Sequence, residues 1–491
     1  MIVVEIKHYI AGQFVHSSSG QFFDNRSPYT NEVINHVSIG EKADIDQAAQ
    51  AANQAFHIGP WGKMKISERM GYIEKIAELI DQHIEEIAVL EATDTGLPIA
   101  QTKKMVARAA ENFRFYSRMV QTRLHGDAYM QDDEFLNYTV YKPLGVIGLI
   151  TPWNAPFMLE TWKVAPALAT GNTVILKPAE LSPLTANKLA EIIHLANLPK
   201  GVFNVVHGFG ETAGNALVQH ELVKAISFTG ETTTGSTIMR NGAHTLKKTS
   251  MELGGKSPLI VFDDADLDRA LDAAIWGIYS FNGERCTANS RIFLHKKIKT
   301  PFIQAMKERI ANIKIGEPLD PSTELGPLIN NEHVQKVSKY IEVARKEGCE
   351  IIQGKIPEHI ESINFIPPTL LLGAKNEMVV CQEEVFGPVM AVIEFESEDE
   401  VVQMANDVKY GLAGYVWTNN IKRGHRVAQA VDAGMLWINA QNVRDLRIPF
   451  GGSKASGIGR EGGHYAMFEF YTEPKVIHVA LGEHHIPQFG K

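Results

Sequence analysis

Between residues 67 and 91 apolar side chains recur every three or four positions, which is the period of an amphipathic helix. Ser67 is available as its N-cap, and Gly96 and Pro98 follow as stop signals. The positions that share this period, of which only the last is polar, are Met70, Ile73, Ala77, Ile80, Ile84, Ala88 and Glu91. The pattern predicts one continuous helix over residues 67–91.

From about residue 145 the pattern changes to short apolar runs that alternate with helical segments. The runs that predict strands are Val146–Ile150, Thr173–Leu176, Phe203–Val206 and Ala225–Phe228. Ser182-Pro183 predicts a cap with proline at the first helical position, followed by a helix to about Ala196. Strands that alternate with crossover helices predict a parallel, doubly wound α/β sheet of the Rossmann-like type.

A second strand–helix series runs from near Leu259 to about Asn439. It contains predicted strands around Arg291–Leu294 and Met390–Phe395 and a predicted helix around Asn331–Glu347. A glycine-rich segment, Pro449 to Gly463, comes after it. Because 491 residues are too many for one compact core, we expect a second α/β domain built from this series.

The overall composition is that of an ordinary globular protein, with 44% hydrophobic and 21% charged residues. A net charge of −9 argues against a nucleic-acid-binding surface. The first residues lack a signal-peptide pattern, and no apolar run reaches the length of about 18 residues that a membrane span needs. Three cysteines give no disulfide framework, so we expect a cytoplasmic protein.

Cys286 is the first candidate for chemistry. It lies just beyond the apolar helical run Leu267–Phe281, in the small polar segment Asn282-Gly-Glu-Arg-Cys-Thr-Ala-Asn289. A thiolate in a cleft is a strong nucleophile towards a carbonyl carbon. The alternative is a buried cysteine that acts only as a small hydrophobic residue.

Other polar residues follow the predicted strands. Asn154 lies in Thr151-Pro-Trp-Asn-Ala-Pro156, where two prolines stiffen the turn, and Glu252 precedes Leu-Gly-Gly255. Lys177 and Glu180 end a strand at the carboxyl edge, where open α/β sheets bind ligands. Each residue also has a structural alternative: Asn154 could cap a helix, Glu252 could pair with a surface lysine, and Lys177 could be solvated.

The turn Thr229-Gly-Glu-Thr-Thr-Thr-Gly235 places two glycines at the mouth of a predicted helix. It is not the G-x-G-x-x-G fingerprint of dinucleotide-binding proteins, and a plain strand–turn–helix connection also favours glycine there. Amide groups at the start of this helix could nevertheless face a pyrophosphate.

Several sequence blocks resemble, in order and spacing, the signatures of the NAD(P)-dependent aldehyde dehydrogenase superfamily. They are Phe228-Thr-Gly230, Met251-Glu-Leu-Gly-Gly-Lys-Ser-Pro258, Gly283-Glu-Arg-Cys-Thr-Ala288 and Glu383-Glu-Val-Phe-Gly-Pro388. The resemblance covers essentially the whole chain, including Pro449-Phe-Gly-Gly452 and Gly457-Ile-Gly-Arg-Glu-Gly462. It implies the aldehyde dehydrogenase fold and oxidation of a small-molecule aldehyde, with no metal ligands.

The resemblance also implies a division of the chain. Residues 1–127 and 144–254 would form the NAD-binding domain, and residues 255–455 the catalytic domain. Residues 128–143 and 470–491 would form a small β element that joins subunits into a homodimer or homotetramer. The alternation of Phe135, Asn137, Thr139 and Tyr141 fits an exposed ribbon that needs a partner.

Carried over residue by residue, the resemblance makes Cys286 the nucleophile and Glu252 the general base. Asn154 and the backbone N–H of Cys286 would hold the oxyanion that forms when the thiolate attacks the aldehyde. Hydride would then pass to the nicotinamide ring, and Glu252 would activate water to hydrolyse the resulting thioester.

Cofactor contacts follow from the same resemblance. Lys177 and Glu180 would contact the adenosine ribose, Glu384 the nicotinamide ribose, and Phe386 would pack nearby. The remaining cofactor-binding candidates are Trp153, Gly230 and Leu253. A carboxylate at Glu180 favours NAD, whereas Lys177 favours the 2′-phosphate of NADP, so NADP use stays open. Glu231 departs from the serine of many relatives and is not assigned to the cofactor.

The block Asn442-Val-Arg-Asp-Leu-Arg-Ile-Pro-Phe-Gly-Gly452 is most similar to semialdehyde dehydrogenases of aromatic ring cleavage. We hypothesise that Arg108 and Arg444 bind the acid group of such a substrate through their planar guanidinium groups, with Trp162 and Phe450 as apolar walls. The alternatives are structural salt bridges for the arginines and core packing for the aromatic residues. Betaine aldehyde or another aldehyde as substrate, coenzyme A as acyl acceptor, and a non-catalytic protein also stay open.

Overall fold

A computed structural model describes residues 4–490 and contains an eight-stranded sheet whose central strands are parallel. Two antiparallel strands from the start of the chain extend one edge, and a short antiparallel strand closes the other. In spatial order the strands are Gly457–Ile458, Lys248–Glu252, Val223–Thr229, Val146–Ile150, Thr173–Lys177, Phe203–Val205, His8–Ile10 and Gln13–Val15.

The seven-stranded sheet is parallel except for one edge strand. In spatial order its strands are Glu350–Gln353, Thr369–Leu372, Val389–Phe395, Arg291–His295, Pro258–Val261, Ala413–Trp417 and Met435–Ile438. Central strands such as Pro258–Val261 are buried throughout, because helices cover both faces. The predicted doubly wound α/β architecture is therefore correct.

Helices connect and cover these strands. The longer ones are Lys42–His57, Ile66–Gln82, Ile84–Thr95, Ile99–Arg123, Pro156–Ala169, Leu184–Leu195, Thr232–Gly242, Leu267–Tyr279, Lys299–Ala311, Asn331–Lys346, Glu398–Asn406 and Ile421–Ala430. Shorter helical segments are Trp61–Lys63, Gly210–Gly214, Asn215–Gln219, Ala243–Thr245, Ser280–Gly283, Val379–Gln382, Gly463–Tyr465 and Ala466–Tyr471. No helix within residues 4–490 is long and apolar enough to cross a membrane.

The single helix predicted over residues 67–91 is wrong. The structure has two helices, Ile66–Gln82 and Ile84–Thr95, separated at His83, whose backbone leaves the helical region (φ −116°, ψ 14°). The His83 imidazole Nδ1 lies 2.7 Å from the carbonyl oxygen of Leu79 and stabilises the break. The predicted stop is correct, because Gly96 ends the second helix in a left-handed conformation (φ +77°).

The predicted cap at Ser182-Pro183 is also wrong in detail. The helix begins at Leu184, so Pro183 precedes it, and the Ser182 hydroxyl has no hydrogen-bond partner within residues 4–490. The backbone N–H of Leu184 instead donates to a carboxylate oxygen of Asp94 at 2.9 Å. A residue 90 positions earlier therefore caps this helix, which local sequence cannot indicate.

Three small sheets complete the fold. Phe135–Pro143 pairs antiparallel with Ala128–Gln131 on one side and with Thr472–Ala480 on the other. This ribbon leaves apolar side chains exposed, among them Tyr129, Met130 and Val476. The other small sheets are Val4–Ile6 with Val33–Ser38 and Phe22–Arg26, and Tyr410–Gly411 with Ser453–Lys454.

Two neighbouring helices carry buried acids. Glu91 and Asp94 of helix Ile84–Thr95 and Glu160 of helix Pro156–Ala169 are fully buried. Burial, together with the negative charge of Asp94, raises the pKa of Glu91 to about 8. Burial likewise raises the pKa of Asp94 to about 7. The folded protein therefore holds protons on these groups at a pH where the unfolded chain has lost them.

A stability prediction follows for Glu91. A raised carboxyl pKa makes the free energy of unfolding fall as pH rises from the unfolded value towards about 8, since the native state binds the extra proton. We expect Glu91→Gln to lose less thermal stability than the wild type between about pH 5 and about pH 8. Scanning calorimetry at both pH values measures this. Glu78→Gln, on the exposed face of a neighbouring helix, is the control and should behave as the wild type; an equal loss for wild type and Glu91→Gln would contradict the prediction.

Candidate active site

The turn that carries Cys286 has an uncommon backbone. Phe281, Asn282 and Gly283 are all left-handed, with φ of +57°, +56° and +75°. This conformation costs a residue other than glycine roughly 1–2 kcal/mol. The turn therefore needs strong support from its surroundings.

The buried Asn282 amide supplies that support. Its Oδ1 accepts from the N–H of Gly326 at 2.7 Å, and its Nδ2 donates to the carbonyl oxygens of Pro327 at 2.8 Å and Gly96 at 3.2 Å. Gly283 then packs so closely that an added Cβ would lie 2.2 Å from the carbonyl carbon of Gly387. Side-chain hydrogen bonds and close packing together hold the turn in place.

Cys286 is half-buried between this turn and the end of strand Lys248–Glu252. An added Cβ at Gly255 would lie 2.4 Å from the Cys286 carbonyl oxygen, so only glycine permits this contact. Burial, together with the charge of Glu384 and against the guanidinium of Arg444, raises the pKa of the Cys286 thiol to about 11. At neutral pH the resting side chain is therefore a thiol.

Asn154 lies against the same segment. Its Nδ2 donates to the carbonyl oxygen of Glu284, two residues before Cys286, at 2.8 Å. Helix Pro156–Ala169 has Ala155 at its N-cap position, so the alternative in which Asn154 caps this helix is wrong. A primary amide carries two N–H donors, and among residues 4–490 only this one hydrogen bond of Asn154 Nδ2 is made.

Glu252 is the last residue of its strand and is buried. Neither carboxylate oxygen has a hydrogen-bond partner within residues 4–490, so the alternative of a surface ion pair is wrong. Burial raises the pKa of Glu252 well above its ordinary value, and Glu461 raises it further against the positive charge of Lys163. Its negative charge in turn raises the pKa of Cys286, which places the two side chains in one electrostatic environment.

A polar network near Glu252 was not predicted from the sequence. Lys163 Nζ donates to Ser227 Oγ at 2.7 Å and forms an ion pair with Glu461, and Ser227 Oγ donates to Glu461 Oε1 at 2.7 Å. These residues come from distant parts of the chain. The one sequence signal was a lysine inside the mostly apolar helix Pro156–Ala169.

The predicted cofactor residues Lys177, Gly230 and Leu253 lie at or just beyond the carboxyl ends of parallel strands of the eight-stranded sheet, and we call this edge, with Glu384 and Phe386, the groove. The N–H of Gly230 donates to the Glu252 carbonyl at 3.0 Å, and helix Thr232–Gly242 begins directly after Glu231. Lys177 is buried and donates to Glu180 at 3.1 Å, so the solvated alternative for Lys177 is wrong.

Glu231, the departure from the family pattern, is exposed. Its carboxylate accepts from Lys336 of helix Asn331–Lys346 at 3.1 Å. The Glu231 side chain is therefore directed towards Lys336.

The other end of the groove is lined by Glu384 and aromatic rings. Glu384 Oε1 accepts from the N–H of Gly255 at 2.9 Å, and burial raises the Glu384 pKa to about 7. The Trp153 ring lies edge-on to Phe386, with 5.4 Å between centroids. Leu253 continues the wall, and its N–H donates to the carbonyl of Ser456 at 2.9 Å.

Glycines keep this groove open. A side chain at Gly254 would collide with Glu384, since an added Cβ would lie 2.2 Å from Oε2. At Gly230 an added Cβ would lie 2.4 Å from the Phe228 ring. Glu180 and Glu384, the helix start at Thr232 and the two glycines together fit a dinucleotide.

Arg444 lies among aromatic rings near Cys286. Its guanidinium carbon is 4.1 Å from the Phe450 ring centroid and 5.8 Å from that of Trp437. The Trp162 ring meets Phe450 edge-on, with 6.1 Å between centroids. The rings of Phe450, Trp437 and Trp162 therefore form an apolar wall beside the Arg444 guanidinium.

Neither Arg444 nor Arg108 forms an ion pair with a carboxylate within residues 4–490. The one hydrogen-bond contact of the Arg444 guanidinium there is the weak acceptor Met435 Sδ at 3.5 Å. The pKa of Arg444 is lowered to about 10, mainly by burial and in part by the positive charge of Arg108. The alternative of structural salt bridges is therefore wrong, because neither of these neighbouring guanidinium groups has a carboxylate within ion-pairing distance among residues 4–490.

Comparison with known proteins gives the class. The sequence model of the Aldehyde dehydrogenase family matches residues 14–477. The chain belongs to the aldehyde dehydrogenase family and is an oxidoreductase that acts on aldehydes. The resemblance and the fold expected from the sequence are thereby confirmed.

Particular relatives share most of the chain. A 5-carboxymethyl-2-hydroxymuconate semialdehyde dehydrogenase of Escherichia coli is 47% identical over 94% of this chain and 98% of its own. A 2-hydroxymuconic semialdehyde dehydrogenase of Pseudomonas sp. (strain CF600) is 42% identical over 97% and 100%. The crystal structure of HpcC from Thermus thermophilus is 50% identical, with a TM-score of 0.96 over 99% of this chain and 95% of its own. An NAD⁺ complex of a Bacillus cereus aldehyde dehydrogenase is 41% identical, with a TM-score of 0.95 over 97% of both chains.

Proposed function

We propose that the protein oxidises a carboxylated semialdehyde of aromatic catabolism to the corresponding acid, with NAD as the oxidant. The observation that carries the proposal is the pair Arg444 and Arg108, two neighbouring guanidinium groups that form no ion pair with a carboxylate of residues 4–490, with Arg444 near the nucleophile. Leaving such charges unpaired is costly unless a ligand pairs with them. A substrate carboxylate meets that need.

The relatives suggest which acid. The substrate we propose is 5-carboxymethyl-2-hydroxymuconate semialdehyde, after the Escherichia coli relative at 47% identity. The second candidates are 2-hydroxymuconate and 2-aminomuconate semialdehyde, after relatives at 42% and 40%. All are acids, which suits the two arginines.

In this proposal the groove holds the cofactor. Lys177 and Glu180 bind the adenosine ribose, Glu384 binds the nicotinamide ribose, and the start of helix Thr232–Gly242 faces the pyrophosphate. Gly230, Leu253, Trp153 and Phe386 line the groove. NAD supplies the hydride acceptor for the oxidation.

The chain's own residues would act in turn. Arg444 and Arg108 orient the substrate, the Cys286 thiol releases its proton to water, and the sulfur then bonds to the aldehyde carbon. The positive charge of Arg444 favours the thiolate against the effect of burial. Asn154 Nδ2 and the N–H of Cys286 hold the new oxyanion. After oxidation to the thioester, Glu252 takes a proton from water as the oxygen attacks, and burial raises its pKa well above the ordinary carboxyl value, which makes its carboxylate a stronger base.

We also propose the arrangement of domains and subunits. Residues 1–127 and 144–254 bind NAD, residues 255–455 provide the nucleophile, and residues 128–143 with 470–491 join subunits in a homodimer or homotetramer. Exposed apolar side chains on the ribbon, such as Tyr129 and Val476, support a partner there. Coenzyme A as acyl acceptor is disfavoured, because a base such as Glu252 serves hydrolysis.

The role of Glu252 has a direct test. In Glu252→Gln we expect a rapid single-turnover burst of NADH and a steady-state rate lower by about 10²–10⁴-fold, because the thioester forms but is hydrolysed slowly. Stopped-flow absorbance and mass spectrometry of the quenched enzyme measure the burst and the acyl group on Cys286. Cys286→Ala should show neither. A variant that turns over without accumulating acyl enzyme would refute the assignment.

The substrate class is tested at Arg444. Arg444→Met keeps packing against Phe450 but removes the charge. We expect kcat/KM for a carboxylated semialdehyde to fall about 10–100-fold, the range of a charge-assisted hydrogen bond, with little change for a neutral aldehyde. Arg447→Met is the matched control, since Arg447 is exposed and pairs with Asp445. Equal losses of kcat/KM for the carboxylated and the neutral aldehyde would contradict the proposal.

Cofactor choice is tested at Glu180. We expect Glu180→Ser to raise kcat/KM with NADP relative to NAD, because a carboxylate that repels the 2′-phosphate is gone and Lys177 loses its partner. Steady-state kinetics with both cofactors give the ratio. Glu191→Ser, which also removes an acid paired with a lysine, is the control. If the ratio of kcat/KM with NADP to kcat/KM with NAD were unchanged in Glu180→Ser, Glu180 would not distinguish the ribose of NAD from that of NADP.

A further inference from the structure

A pair of stacked rings lies between the nucleophile and the substrate-binding arginine. Tyr415 and Trp437 are directly opposite one another on neighbouring parallel strands, Ala413–Trp417 and Met435–Ile438. The strand register therefore places both side chains on one face of the sheet. Their rings stack with 5.1 Å between centroids and 17° between planes, and Tyr415 is fully buried.

Each ring donates a hydrogen bond to the backbone next to one of the two functional side chains. The Tyr415 hydroxyl donates to the carbonyl oxygen of Thr287, the residue after Cys286, at 2.9 Å. Trp437 Nε1 donates to the carbonyl oxygen of Val443, the residue before Arg444, at 3.0 Å. The hydrogen-bonded rings thus connect the backbone beside the sulfur to the backbone beside the guanidinium.

We infer that the Tyr415–Trp437 stack fixes the distance between the Cys286 sulfur and the Arg444 guanidinium. Tyr415 and Trp437 are then positioning residues that select substrates by the separation of their aldehyde and acid groups. This inference rests on the proposed function, because it requires Arg444 to bind the substrate's acid.

Rigidity is what the rings add. Aromatic side chains have few rotatable bonds, and stacked rings keep their separation. A substrate fixed at both ends reacts quickly only if its length matches the site, since a displacement of about 1 Å can cost about 10²-fold in rate. Flexible aliphatic residues at these positions would tolerate a range of lengths.

The experiment compares conservative variants on a length series. Tyr415→Phe removes only the hydroxyl, and Trp437→Phe removes only the indole N–H and one ring. Tyr279→Phe is the matched control: Tyr279 is buried in the same core, and its hydroxyl donates to the carbonyl of Thr369 at 3.2 Å. The substrates are ω-carboxy aldehydes from succinic to pimelic semialdehyde, with the neutral aldehydes from butanal to heptanal alongside.

In the wild type we expect kcat/KM to peak at one length of the carboxylated series. In Tyr415→Phe and in Trp437→Phe we expect the peak to fall about 3- to 10-fold relative to the neutral aldehyde of equal length, with a broader profile. Tyr279→Phe should keep the wild-type profile.

The outcomes separate the two proposals. A wild type without preference for carboxylated over neutral aldehydes refutes the proposed function, and the inference with it. A wild type with that preference, whose length profile survives in both ring variants, refutes the inference alone. Equal losses on carboxylated and neutral aldehydes, or the same change in Tyr279→Phe, would show that the rings only support the core and would likewise overturn the inference.

Discussion

The site depends on one buried amide. Asn282 accepts from Gly326 and donates to Pro327 and Gly96, so its side chain joins the nucleophile turn to two other segments. These hydrogen bonds offset the cost of two consecutive left-handed residues other than glycine, Phe281 and Asn282. Strain of this kind persists only where the surroundings fix the backbone, and here it sets the position of Cys286.

The electrostatics of the site follow from the burial of charged side chains that form no ion pair. Glu252 is buried and Arg444 is half-buried, and neither meets an opposite charge within ion-pairing distance among residues 4–490. Burial raises the pKa of Glu252 and lowers the pKa of Arg444, so it disfavours the charged form of each side chain. A ligand of opposite charge would stabilise that charged form. Charged groups that are buried without a partner of opposite charge cost stability in the free protein.

The sequence indicated the sheets better than their connections. Strands such as Val146–Ile150 are buried on both faces, so a continuous apolar run identified them correctly. The helix break at His83 depends on a side-chain contact with Leu79, and the cap at Leu184 on Asp94. Neither interaction leaves a periodic signal.

The site shows the same limit. Cys286, Glu252 and Asn154 stood out because they occupy loops and strand ends, and the structure brings their segments together, although their roles stay predictions. Lys163 and Tyr415 were missed. Their partners, Glu461 and Thr287, lie 298 and 128 residues away, so only the folded chain reveals them.

The Asn282-Gly283 dipeptide has a chemical consequence for the lifetime of the protein. In a flexible chain an asparagine before glycine readily cyclises and loses ammonia. Here the amide is bonded on both atoms and the Gly283 backbone packs against Gly387, which resists that cyclisation. If Asn282 were deamidated, a carboxylate oxygen would face the carbonyl oxygens of Pro327 and Gly96 in place of an N–H donor. The turn that carries Cys286 would then lose two of its hydrogen bonds.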